Sequence, residues 1–156
     1  MRFGSSGSTV ELTIEAYQFP ESEPQNEQDW DANWLVIAGQ ISGWVPWRFR
    51  DPCLTTWEAR EFAAWLDDVA HSERQPVPAH EGELSFTEPN LRVELRSRTV
   101  DDATLAFFFS HESAPPGTTD DVRLGDGYEV EVTMSTAEIA EASKGWMKHC
   151  EQFPER

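Results

Sequence analysis

Four histidines, two cysteines and 29 carboxylates are the side chains of this 156-residue chain that could do chemistry. The histidines are His71, His80, His111 and His149, and none has another His or Cys at ligand spacing except the adjacent His149-Cys150. Neighbours on a helix point about 100° apart, so those two do not share an ion easily. No metal site is expected. There is no G-x-S-x-G elbow, and neither cysteine lies in a reactive motif. Cys150 falls on the apolar stripe of the last helix and reads as core. Cys53 follows Pro52 just ahead of a helix start, where a thiolate would be stabilised, but a buried or merely exposed thiol is the expected reading. The acid pairs Asp67-Asp68, Asp101-Asp102 and Asp120-Asp121 read as solvated faces or turns. Asp120 to Asp126 lacks the alternation of an EF-hand loop. With so many acids, some pair will reach glycosidase-like separation by chance, so a hydrolase using a carboxylate pair stands as the alternative reading. The expectation is no catalysis and no cofactor.

Recognition is the other chemistry on offer. Glu21, Glu23, Glu27, Asp29 and Asp31 place five carboxylates within eleven residues, with no base among them. Trp30 lies between the last two. Aromatic anchors dominate interface energies, and charges around them steer the encounter. These six residues are the candidate partner-binding set, and the partner they suit is basic.

The whole chain shares that sign. It carries 29 acids against 12 bases, a net of −17. Such a field repels nucleic acid and anionic lipid and draws in basic partners. Met1 to Trp47 holds seven carboxylates and one base, while seven of the twelve bases lie between Arg48 and Arg98. Arg92, Arg96 and Arg98 alternate with Glu94, which reads as a cross-strand ion-pair ladder rather than a phosphate site. A third reading makes the acidity a solubility feature of a housekeeping protein with no specific partner. Two cysteines are too few for a disulfide framework, no apolar signal core opens the chain, and no apolar run is long enough to span a membrane. A reduced, cytoplasmic protein is expected.

These residues must be carried by ordered elements, and the chain supplies them. Nine Phe and seven Trp give a large core despite a 38% hydrophobic fraction. Val10, Leu12, Ile14 and Ala16 alternate with polar residues and predict a strand. Phe19 to Asn33 predicts an exposed acidic loop. Strands are predicted at Trp34–Ile41 and Trp44–Arg50, the latter at an edge or carrying a bulge because of Pro46. Thr55-Thr56-Trp57-Glu58 has the form of a capping box, and Ala59, Phe62, Ala63, Leu66 and Val69 continue at helical spacing. Strands are predicted at 83–87, 91–98, 104–110 and 128–134. Ser135 and Glu138 repeat the capping box before a final helix over 136–152. Short turns favour antiparallel neighbours. The expectation is one α+β domain over 1–156, with residues 1–8 flexible. Its antiparallel sheet would have six or seven strands, with both helices packed on one face. Trp65, Leu66, Trp146 and Met147 would lie in the core.

Four stretches together resemble the WapI-type immunity proteins of bacterial contact-dependent toxin systems. They are Asp31-Ala32-Asn33-Trp34-Leu35, Leu54-Thr55-Thr56-Trp57-Glu58-Ala59 with Trp65-Leu66, Phe86-Thr87-Glu88-Pro89-Asn90-Leu91, and the closing Phe153-Pro154-x-Arg156. The resemblance implies a small, non-catalytic cytoplasmic protein that binds and neutralises a cognate protein toxin, often a nuclease. It assigns no toxin-contact residue to this chain, and it does not account for the acidic run Glu21 to Asp29. A nuclease is basic where it holds phosphate, so the chain's charge and the resemblance point to the same kind of partner.

Overall fold

A computed structural model describes residues 1–4, 7–22, 29–71 and 82–156. The alternating segment becomes a strand, and so do its neighbours. Strands β1 (Arg2–Phe3), β2 (Thr9–Tyr17), β3 (Trp34–Ser42) and β4 (Trp47–Thr55) form one antiparallel sheet in that order. Pairing Val10 with Ile41 and Leu12 with Gly39 keeps the buried face of β2 in step with β3. β4 starts three residues later than the pattern suggested. It carries Pro52 rather than Pro46, and as the sheet's last strand it tolerates a residue without an N–H. Arg2–Phe3, inside the segment expected to be flexible, is an edge strand. The Met1 ammonium donates to the Leu12 carbonyl at 2.7 Å, and Phe3 is fully buried.

Strands β5 (Glu83–Ser85), β6 (Leu91–Arg98), β7 (Asp102–Phe109) and β8 (Tyr128–Ser135) form a second antiparallel sheet, again in chain order. The expected single sheet of six or seven strands is therefore two sheets of four. Local turns dictate which neighbours pair, but they are silent on whether β4 continues into the next group. It does not, because β4 runs straight into the helix α2 (Thr56–His71). A 3-10 turn, His111–Ser113, packs against β4, and the Trp47 indole donates to the Ser113 carbonyl at 2.8 Å. The two sheets meet instead through rings: Phe3 on Phe107 at 4.8 Å, Trp47 on Phe109 at 5.3 Å and Phe49 on Phe109 at 5.7 Å.

Helix α2 packs on the final helix α4 (Thr136–Cys150). Ala59 and Ala63 leave room for α4 to come close. The Trp146 indole donates to the Ala59 carbonyl at 2.7 Å and the Ser143 hydroxyl to the Ala63 carbonyl at 2.8 Å. Phe62 ties this helix pair to the sheets, with rings of Phe3, Phe86 and Trp146 around it. Leu66 and Trp146 are fully buried, Trp65 is half-buried, and Met147 is 37% exposed rather than in the core. Met147 follows Trp146 by one residue, a rotation of about 100°, which carries it off the buried face. At the other end of α2 the Arg98 guanidinium donates to the carbonyls of Val69 and Ala70 at 2.6 and 3.1 Å, closing helix ends that lack intrahelical partners. Two further short helices, α1 (Trp30–Asn33) and α3 (Asp120–Arg123), lie in connections. Among the described residues no helix is long and apolar enough to cross a membrane.

Candidate functional site

Among the described residues, three tryptophans meet on the surface where α1 and the first turn of α2 come together. Trp30 is 48% exposed and stands edge-on to Trp57 at 5.0 Å, with Trp34 at 6.2 Å. Asp29 precedes it as N-cap of α1, its carboxylate accepting from the Ala32 amide at 3.3 Å. Asp31 follows and is exposed, as is Glu21. Trp30 is thus an exposed ring on a rigid aromatic base, flanked by two carboxylates. Glu23 and Glu27 of the candidate set lie outside the described residues.

What holds Trp30 there is buried and polar. Asn33 is fully buried three residues on. Its amide nitrogen donates to the carbonyls of Asp29 at 2.8 Å and Arg156 at 2.7 Å. Its oxygen accepts from the Thr56 hydroxyl at 2.8 Å and the Arg156 amide at 2.9 Å. Four bonds use the full capacity of a primary amide. The Arg156 side chain then reaches the carbonyls of Phe19, Pro20 and Ser22, and lies over the Tyr17 ring at 4.7 Å. Residues 17–22 and 29–33 are therefore tied to the 153–156 segment.

The capping box at Thr55 forms as the spacing predicted. Glu58 accepts from the Thr55 amide at 2.8 Å and the Thr55 hydroxyl at 2.9 Å, and the Thr55 hydroxyl accepts from the Glu58 amide at 3.3 Å. Its other carboxylate oxygen takes the Thr87 amide at 2.7 Å. Glu58 is only 6% exposed. The four sequence stretches singled out above thus converge on one network, through Asn33, Thr55, Thr56, Glu58, Thr87 and Arg156. They set the architecture under the aromatic patch and supply Trp34, Trp57 and Asp31 to it, while Trp30 itself lies just outside them.

The cysteines considered for catalysis lie elsewhere, and His80 lies outside the described residues. Both cysteines are buried and unpaired with each other. Burial, reinforced by the Asp51 carboxylate, pushes the Cys53 thiol far above its usual range, and burial pushes Cys150 up to about 11. Asp51 is held above the ordinary carboxylate range by burial and by repulsion from Glu112 and Glu88, against a 2.6 Å bond from Asn90. Desolvation lowers the proton affinity of His149. Among the described residues no group of three His, Cys, Asp or Glu could hold a metal ion. On β6 the ion-pair ladder runs from Arg92 to Arg96, while Arg98 donates instead to the Val69 and Ala70 carbonyls. Arg92 pairs with Glu94, while Arg96 pairs with Glu94 at 2.6 Å and Glu129 at 2.9 Å.

Sequence reading missed Trp34, Trp57 and Arg156 as parts of this site. Trp57 had a usable signal, since a bulky apolar residue in a helix's first turn, beside the cap, points away from the helix's own core stripe. Arg156 had none, because its partners are main-chain carbonyls more than a hundred residues away in sequence.

No curated protein matches the chain. The profile of the immunity protein WapI-like family matches residues 1–154. That span covers both sheets, both long helices and nearly all of the buried network, and the chain belongs to the WapI-like immunity protein family.

Proposed function

We propose that the protein neutralises a basic, nuclease-type toxin by binding it, without catalysis, through the surface built on Asp29, Trp30 and Asp31 with Glu21, Glu23 and Glu27. Membership of an immunity protein family supports the toxin-neutralising role. One observation carries the choice of surface: Trp30 is half exposed yet held on Trp57 and Trp34 between two carboxylates. A pre-set aromatic ring loses little conformational freedom on binding, and hot spots are often of this kind. The net charge of −17 would steer a basic toxin at rates of up to about 10⁸–10⁹ M⁻¹s⁻¹ at low salt.

The test is binding kinetics against the cognate toxin domain, at two salt concentrations. Trp30→Ala is expected to speed dissociation and to cost about 2 kcal/mol or more. Joint replacement of Glu21, Glu23 and Glu27 by Gln is expected to slow association and flatten its salt dependence, leaving dissociation nearly unchanged. Parent-like kinetics for both variants would move the interface elsewhere, first to the acidic 99–131 face. Turnover of a glycoside, ester or phosphate substrate that a single Asp or Glu substitution abolishes would replace the reading with the hydrolase alternative.

A further inference from the structure

Trp44 is 98% exposed, more than any other large apolar side chain among the described residues. It sits in the turn between β3 and β4, directly after Gly43, whose φ of +143° and close approach to Ser8 leave no room for a side chain. Gly43 thus sets the backbone of the turn, and Trp44 stands out from it into solvent. Beside it runs a groove of about 550 Å³ between this hairpin and β8. Trp47 and Tyr128 line it, edge to face at 5.3 Å, together with Glu129 and Glu131. β8 is the outer strand of its sheet. Among the described residues its main chain from Tyr128 to Met134 makes no hydrogen bond beyond those to β7.

A free strand edge accepts an extended segment as an added strand. An exposed indole beside carboxylates attracts a cation, by its ring face and by charge. Arg96 offsets this only in part, being one guanidinium at 2.9 Å from Glu129 and 3.8 Å from Glu131. We propose that this groove is a second docking surface, taking an extended, Arg- or Lys-bearing segment of the toxin along β8 while Trp44 covers one of its cationic side chains. The proposal rests on the toxin-binding reading above. Trp30 precedes β3 and Trp44 follows it, and nine residues of strand span about 30 Å. A patch of about 800 Å² per partner is of similar breadth, so one toxin can reach both ends.

Two measurements test it. The first titrates an octapeptide of alternating Arg and Val into the labelled full chain, with a Glu–Val octapeptide as control. Amide shifts are expected at Ser42–Val45 and Tyr128–Met134 with the Arg peptide only, and they should vanish in Trp44→Ala. Shifts absent from the groove, or spread evenly over the acidic surface, overturn the proposal, as does a Trp44-dependent dimer without peptide. The second measures toxin-domain dissociation, expected to be at least tenfold faster in Trp44→Ala. If Trp30→Ala weakens binding and Trp44→Ala does not, this inference falls and the toxin-binding reading stands. If the parent binds no toxin domain, both fall together.

Discussion

Replacing Glu58 by Ala tests whether the buried network holds the fold together. Glu58 is 6% exposed, and its carboxylate accepts from the Thr55 amide, the Thr55 hydroxyl and the Thr87 amide, at 2.8, 2.9 and 2.7 Å. Truncation removes all three acceptor contacts. Thr55 is fully buried, so its amide loses its partner with no water to replace it, at about 1–3 kcal/mol. Thr87 is exposed and its amide can turn to water, which limits that loss to the net value of a charge-assisted bond, about 1.5–3 kcal/mol at most. Loss of a helix cap adds nothing separate, since it is the Thr55 contact counted once. The expected destabilisation is about 3–4 kcal/mol, which for a domain of this size lowers Tm by about 10 °C. Glu58→Gln keeps one acceptor and should lose roughly half as much. Urea unfolding followed by tryptophan fluorescence measures both, with the slope m unchanged. The second capping box is the internal control. Ser135 and Glu138 repeat the two Thr55-type contacts at 2.9 and 2.8 Å, on the surface and with no counterpart of the Thr87 bond among the described residues, so Glu138→Ala should destabilise far less. A Glu58→Ala variant no weaker than Glu138→Ala would refute the argument that burial gives this cap its weight.

Other outcomes follow from the same geometry. Gly39 lies opposite Phe49 across β3 and β4, with the ring over its α-carbon, so Gly39→Ala should cost about 1–3 kcal/mol in thermal or urea unfolding by overpacking. Asp51 has a raised folded pKa and so binds its proton more tightly folded than unfolded. Its contribution is fully present below the unfolded value of about 3.9 and is lost as pH rises through the folded value. Asp51→Asn should therefore remove a fall in stability just above the carboxylate range, seen as a larger parent-minus-variant Tm difference at pH 4 than at pH 7. Cys53 and Cys150 are buried with raised thiol pKa values, the second at about 11. At pH 8 a thiol-specific reagent should label neither until denaturant is added, after which it should label both.

Much of this molecule was legible one element at a time. The alternation at 9–17, the two capping boxes and the stripe Ala59, Phe62, Ala63, Leu66 each report a local period, and local periods follow from backbone geometry and a single buried face. The α+β class and the antiparallel neighbours came the same way. What the sequence could not contain was the meeting of distant pieces. Whether β4 and β5 share a sheet depends on how α2 leads the chain away, and no residue in either strand encodes that. The buried role of Glu58 is another case. Its spacing from Thr55 marks a cap, but its bond to Thr87 exists only because the loop before β6 folds back over the helix start. The candidate site divides similarly. The acids around Trp30 are plain in the sequence, whereas Trp57 beneath it and the Arg156 contacts that hold the neighbouring segment arise from packing across the whole chain. Charge and periodicity are local sums, so one dimension records them; burial, strand partnership and the presentation of Trp30 and Trp44 are properties of the assembled surface, and only three dimensions decide them.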